Sequence, residues 1–206
     1  MTDSLTERLA TAARQELART LSALCGEVCA AESSILLPAN DTELLFFASS
    51  NPVLMRPDVP FVPINASFSG IAFRTGQTIA VADAANQTQH YKAIDERVAT
   101  RTREFAAIPC VNGGVVGVLT LVNRVVRDAD ASAPFNMAEI RRAETFATEI
   151  AHAIGLLPGL VGGATGDADG MRALDVDFAT DLALLTQTER RVVHALVSAL
   201  IENRGA

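Results

Sequence analysis

The stretch Ala106-Ala107-Ile108-Pro109-Cys110-Val111-Asn112-Gly113-Gly114-Val115-Val116-Gly117-Val118-Leu119-Thr120-Leu121-Val122 decides the fold. Two apolar runs, 106–111 and 115–122, flank Asn112-Gly113-Gly114. Asn and Gly tolerate the positive φ values of a tight turn, so the pattern predicts an antiparallel hairpin. Upstream, Ser33 to Leu37 and Leu44 to Ala48 are short apolar runs around Pro38-Ala39-Asn40-Asp41, which predicts a second strand pair. Thr78 to Val81 predicts one further strand, ending at Asp83. Pro52, Pro57, Pro60 and Pro63 exclude any regular element across 51–63.

Helices surround these strands. Ser4 and Glu7 have capping-box spacing, and residues 4–30 read as a helix. Within it Leu17, Leu21, Leu24, Val28 and Ala31 alternate by four and three, a narrow apolar seam. Such a seam packs either on the chain's own sheet or against a second copy or a terminal helix. Ser67-Phe68-Ser69-Gly70 opens a short helix, Ile71 to Arg74, that stops at Thr75-Gly76, where Gly supplies a left-handed cap. A helix is predicted from Tyr91 to about Thr100. After Pro134-Phe135-Asn136 a long amphipathic helix carries Ile140, Ala143, Phe146, Ala147, Ile150, Ala151 and Ile154. Residues 158–170 form a glycine-rich linker, and a last helix follows Thr186, which has capping-box spacing to Glu189. The order predicts an α+β fold, an antiparallel sheet covered by helices on one face. The expected organisation is an N-terminal helix, 1–30, a domain over 31–157, the linker 158–170 and a helical tail, 171–206.

Composition narrows the function. Of the 206 residues, 49% are hydrophobic and 20% charged, which is globular and excludes a disordered chain. Lys and Arg number 17 against 24 Asp and Glu, a net charge of −7 that repels phosphate backbones and argues against nucleic acid as a partner. Trp is absent and Tyr91 is the single tyrosine, so little is available to stack on bases. No apolar run approaches the ~20 residues of a bilayer span. Met1-Thr2-Asp3-Ser4 lacks the basic region and apolar core of a signal peptide. Three cysteines, an odd number, argue against a disulfide framework, and a cytoplasmic protein with free thiols is expected.

Several stretches carry a family resemblance. Residues 67–83, Ser-Phe-Ser-Gly-Ile-Ala-Phe-Arg-Thr-Gly-Gln-Thr-Ile-Ala-Val-Ala-Asp, resemble the GAF-domain pattern of a Gly-initiated helix, Thr-Gly, a strand and Asp. Ile108-Pro109-Cys110 and Gly114 to Asn123 resemble that family's Pro-centred strand, hairpin and closing strand. Phe135 and the helix after it resemble its C-terminal segment. The match covers about residues 20–155 and leaves out 171–206. It implies a six-stranded antiparallel sheet with helices packed on one face, of the GAF/PAS kind. It also implies a small-molecule pocket on the other face, beneath the segment between the third and fifth strands.

That segment is polar. Asp83, Asn86, Gln89, His90, Tyr91, Arg97, Arg101 and Arg103 give it its chemistry. A few polar groups converging over apolar strands suit a small ligand, and arginine forks suit carboxylate or phosphate. Equally, the arginines fit a solvated helix face, and Ser69 and Asp83 fit turn-bracing roles. The candidate ligand-binding set is Ser69, Asp83, Asn86, His90, Tyr91, Arg103 and Cys110. Asn123-Arg124 with Phe135 and Glu139 resembles the signature of cyclic-nucleotide-binding GAF domains, with Arg124 in place of lysine and Glu139-Ile140 in place of an acidic pair. The family's link between the basic residue and the first acid would survive as Arg124 with Glu139, bracing the closing strand against the final helix.

Cys25 and Cys29 lie four apart on one helical face, without the paired ligands or nearby His of a metal site. The GAF family includes free methionine sulfoxide reductases, whose cysteines cluster in the pocket segment. Residues 64–105 contain no Cys, which leaves Cys110 as the candidate nucleophile for such an enzyme. The tail Leu185 to Leu196 resembles the first helix of a helix-turn-helix regulator. No recognition helix fits before Ala206, so a docking or dimerising helix is expected. The resulting expectation is a non-catalytic, ligand-sensing regulatory module, a homodimer signalling through its flanking helices to a separate output protein. No metal and no named cofactor belong to it. The alternatives are a methionine sulfoxide reductase-like enzyme using Cys110 and a ligand-free dimerisation or docking module.

Overall fold

The computed structural model describes residues 5–125 and 134–155. The expected linker, 158–170, and helical tail, 171–206, lie outside the described residues, as does Ser4. Helix α1 (Leu5–Glu27) leads into β1 (Ala30–Pro38) and β2 (Glu43–Ser49). After a 3-10 turn at Pro52–Met55 come β3 (Val62–Pro63), α2 (Phe68–Thr75), β4 (Ile79–Val81), a second 3-10 turn at Ala84–Asn86 and α3 (Lys92–Val98). Strands β5 (Phe105–Val111) and β6 (Val115–Arg124) form the predicted hairpin, and α4 (Met137–Gly155) follows. The six strands form one antiparallel sheet in the order β3-β2-β1-β6-β5-β4.

Local chemistry accounts for the element ends. In the hairpin, Gly113 takes φ +68 and the Asn112 N–H donates to the Gly114 carbonyl at 2.8 Å. At α2, the Ser67 side chain accepts from the Gly70 N–H at 3.0 Å and donates to the Pro63 carbonyl at 2.6 Å. Gly76 closes that helix with φ +66, the left-handed cap expected of it. Strand β3 corrects the expectation that 51–63 holds no regular element. Val62 and Pro63 pair with Leu44 and Glu43 at the sheet edge, where a proline leaves no ladder donor unpaired. Helix α1 ends three residues before the expected boundary, because Cys29 takes φ 53 and Ala30 already starts β1. Ala31 is therefore an exposed strand residue and not part of the seam.

Period-two alternation sorts the strand residues onto two faces. Ile35, Ile108, Leu119 and Leu121 form one core with Leu17, Leu21, Leu24 and Val28 of α1 and Ile140, Ile150 and Ile154 of α4. Ala143, Ala147 and Ala151, each at most 1% exposed, let α4 approach the sheet closely. The seam of α1 is thus taken up by the chain's own sheet. Each such leucine stabilises the fold by about 1.5–3 kcal/mol. The opposite face presents Leu36, Leu44, Ala107 and Val118 to Val62, Ile64 and Ala72, a smaller core beneath the 64–104 segment.

Candidate functional site: a roofed cavity on the second face

The second face is not filled. A cavity of about 70 Å³ lies between the sheet and the 64–104 segment. Its floor is Glu32, Ser34 and Leu36 of β1, Phe46 of β2, Phe105 of β5, and Thr120 and Val122 of β6. The start of α2 and residues 89–102 form the roof. Gly70 sets how low the roof sits: a Cβ there would lie 2.0 Å from the Ile64 carbonyl oxygen, so a side chain would lift α2 away.

Ser69, His90 and Tyr91, three of the expected residues, line this one space. Ser67 supplies the helix cap, which leaves Ser69 without that duty. The His90 ring is held by Asp95, with Nε2 3.0 Å from Oδ2. Asp95 also accepts from the Thr102 N–H at 2.8 Å and from the Thr102 hydroxyl at 2.6 Å. With the C-cap Ala99 at φ 53, its N–H donating to the Asp95 carbonyl, these bonds fold the end of α3 back over the cavity. Asp95 is the latch of the roof.

The other expected residues lie elsewhere. Asp83 and Asn86 are exposed and bind one another, Asn86 Nδ2 donating to both Asp83 oxygens at 3.0 and 2.9 Å. They brace the turn before α3. Arg103 is exposed, and its backbone N–H donates to Asn123 Oδ1 at 2.8 Å. Arg97 pairs with Asp58. Among the described residues, no arginine or lysine lines the cavity. Cys110 packs in the helix-side core, 0% exposed, because it shares the alternation of Ala106 and Ile108. Burial pushes its thiol up to about 12, against a weaker lowering by a hydrogen bond with the Leu119 backbone. A thiol that stays protonated on the far side of the sheet is a small hydrophobe, not a nucleophile at this cavity.

Sequence reasoning missed Glu32, Ser34, Asp95, Thr102 and Thr120. For Ser34 and Thr120 the signal was polar character inside an apolar run; Asp95 and Thr102, in an already polar segment, carried none. Ser34 and Thr120 are 2% and 4% exposed, and a buried polar residue in a strand is informative where an exposed one is not. The Ser34 and Ser49 hydroxyls bond at 2.8 Å, and Thr120 Oγ1 reaches the Ser34 carbonyl at 3.4 Å.

The Arg124–Glu139 link forms as the family resemblance implied. Arg124 Nε lies 3.0 and 2.8 Å from the two Glu139 oxygens, and its NH2 nitrogen lies 2.9 Å from one of them. That fork joins the end of β6 to the first turn of α4 and raises the Arg124 pKa, the Glu139 hydrogen bonds being the largest cause. Asn123, beside it, holds the end of the roof. Its side chain donates to the Arg101 carbonyl at 3.0 Å and accepts from the Arg103 N–H. Glu104 is 1% exposed and its carboxylate oxygens have no hydrogen-bond partner among the described residues.

Comparison with known proteins bears on this arrangement. The GAF-domain family profile matches residues 11–154. No curated protein sequence matches the chain. Among solved structures, the GAF domain from a phosphoenolpyruvate-protein phosphotransferase of Coxiella burnetii superposes with a TM-score of 0.57 at 18% identity, covering 75% of this chain and 96% of that one. A type II free methionine-R-sulfoxide reductase from Thermoplasma acidophilum gives 0.55 at 12% identity, covering 70% and 93%. A GAF domain/HD domain protein from Geobacter sulfurreducens gives 0.56 at 14% identity, covering 75% and 98%. At these identities the likeness is one of fold. GAF domains are in general regulatory, small-molecule-sensing domains, and most are not catalysts. No helix among the described residues is long and apolar enough to cross a membrane. The six-stranded sheet, its roofed cavity and the profile match over most of the chain together make this protein a member of the GAF-domain family.

Proposed function

We propose that this protein is a regulatory module that senses a small molecule in the cavity beneath the 64–104 segment and passes the signal to a separate output protein in the cytoplasm. One observation carries this reading: Ser69, His90 and Tyr91 of the roof and Glu32, Ser34 and Thr120 of the floor line one space. Apolar walls with a few convergent polar groups are what a ligand needs. A ligand that binds the closed roof more tightly than the open one shifts the population toward closure.

The route outward is physical. Closure positions Asp95 and Thr102, the following residues are tied to Asn123, and Arg124 grips Glu139 at the start of α4. A change at the roof therefore bears on how α4, and beside it α1, sits on the sheet. A homodimer through these helices would have to use their outer faces, because Leu17, Leu21, Leu24 and Val28 are buried internally. Light scattering at micromolar concentration that gives the monomer mass removes the dimer from this reading.

The enzymatic alternative needs an accessible thiolate, and Cys110 offers neither access nor ionisation. Turnover of free methionine sulfoxide with a thiol reductant, abolished in Cys110→Ser, would overturn the regulatory reading. The ligand-free alternative is tested by native mass spectrometry after gentle purification. A co-purified small molecule, lost when the roof is opened by Asp95→Ala, is the expected result. A bare chain whose cavity amides respond to no added compound would leave only a scaffold.

A further inference from the structure

We propose that the cavity is built for a small organic ammonium compound, bound by the Glu32 carboxylate and the aromatic rings around it. The inference rests on the sensing reading above and names the chemistry of its ligand. Among the described residues the wall carries two carboxylates, Glu32 and Asp95, and no lysine or arginine. They are not equivalent. Asp95 is occupied by His90 and by two bonds from Thr102. Whatever charge the His90 ring carries is matched there.

Glu32 is different. It is half-buried on the cavity floor, and its Oε2 accepts a single bond, from Asn51 Nδ2 at 2.9 Å. Its Oε1 accepts none, and no cation pairs with it among the described residues. Glu32 Oε1 is thus free to accept, and a ligand ammonium would form a charge-assisted hydrogen bond there. Four aromatic side chains, Phe46, Phe68, Tyr91 and Phe105, line the same space. Phe68 and Phe105 stand 5.7 Å apart between ring centroids. Ring faces attract an ammonium and offer nothing comparable to an anion.

An anionic ligand would shed its hydration to enter a chamber whose lining, among the described residues, has no lysine or arginine to replace it. Of the two readings open for this segment's arginines, forks for carboxylate or phosphate find no support in this lining, which holds no arginine among the described residues. Size sets a further bound. At roughly 10–15 Å³ per water-sized group, the cavity of about 70 Å³ holds roughly five to seven non-hydrogen atoms.

The test is an NMR titration of the full chain with three probes of similar size at neutral pH: ethanolamine as its ammonium salt, ethylene glycol and acetate. Ethanolamine is expected to shift the amide signals of Ser34, His90 and Tyr91, and Glu32→Gln is expected to raise its half-saturation concentration roughly tenfold or more. The glutamine retains an acceptor for Asn51, so the floor keeps its shape. Should that variant fail to fold, Phe46→Leu replaces it, with a severalfold loss expected for ethanolamine. Equal ethanolamine binding in wild type and variant overturns the inference. So does a response to acetate or ethylene glycol without one to ethanolamine, and that result leaves the sensing reading standing. Silence toward all three probes overturns both.

Discussion

Ile35, Ile108, Leu119 and Leu121 face α1 and α4, whereas one residue along the same strands Ser34, Ala107, Thr120 and Val122 face the 64–104 segment. Both sets are largely buried, yet the two faces are finished in different ways. Toward the helices, apolar side chains meet apolar side chains with alanines spacing α4 close to the sheet. Toward the segment, hydroxyls and a carboxylate interrupt the apolar surface and a cavity remains. An unfilled space forfeits dispersion contacts along its lining. The difference teaches that the helix face supplies the stability that lets the other face stay hollow and polar.

The largest expected effect strikes the filled face. Leu119→Ala removes a side chain that is 0% exposed in the helix-side core, and a loss of about 2–5 kcal/mol is expected in urea unfolding. A loss below about 1 kcal/mol would erase the contrast between the faces. Next comes the roof. Asp95→Asn keeps the size but removes the charge that holds His90 and Thr102, at a cost of about 1–2 kcal/mol. Hydrogen exchange should quicken over 92–102 while the α1 and α4 amides stay protected, since the latch opens locally. Equal acceleration on both faces would mean that they unfold as one unit.

A third effect is confined to alkaline pH. The Cys110 thiol, ordinarily at 9.0, is raised by burial to about 12 in the fold. Below 9.0 both states keep the proton and the pH has no grip; above it the unfolded chain releases the proton first, so stability falls as pH rises toward about 12. The loss at pH 10 is about 1 kcal/mol, and Cys110→Ala should flatten that slope. A slope that Cys110→Ala leaves unchanged would place the thiol away from the dry face. The smallest effect belongs to the cavity floor. Thr120→Val removes only a long bond to the Ser34 carbonyl, 3.4 Å, so unfolding should shift by less than about 1 kcal/mol. A larger loss would show the floor to be as tightly committed as the helix face.

Much of this architecture was legible in the chain itself, and the reason is range. The 112–114 turn, the Gly76 cap and the spacing of Leu17, Leu21, Leu24 and Val28 depend on neighbours within about two helical turns. Such features announce strands, helices and their buried faces directly. The Arg124–Glu139 fork was legible too, through a resemblance of spacing. Strand β3 was not, because a two-residue edge strand among prolines has no period to read.

Only the tertiary structure decided which polar residues share a space. Ser69, His90 and Tyr91 meet Glu32, Ser34 and Thr120 through strand pairings across the sheet, such as Ser34 opposite Thr120, and through the path of the roof. No short window of sequence contains that register. The same register sends Cys110 to the dry face and leaves Asp83 and Asn86 to bind each other in solvent. Residue type along the chain determined what chemistry was available; the pairing of strands determined which of it faces the cavity.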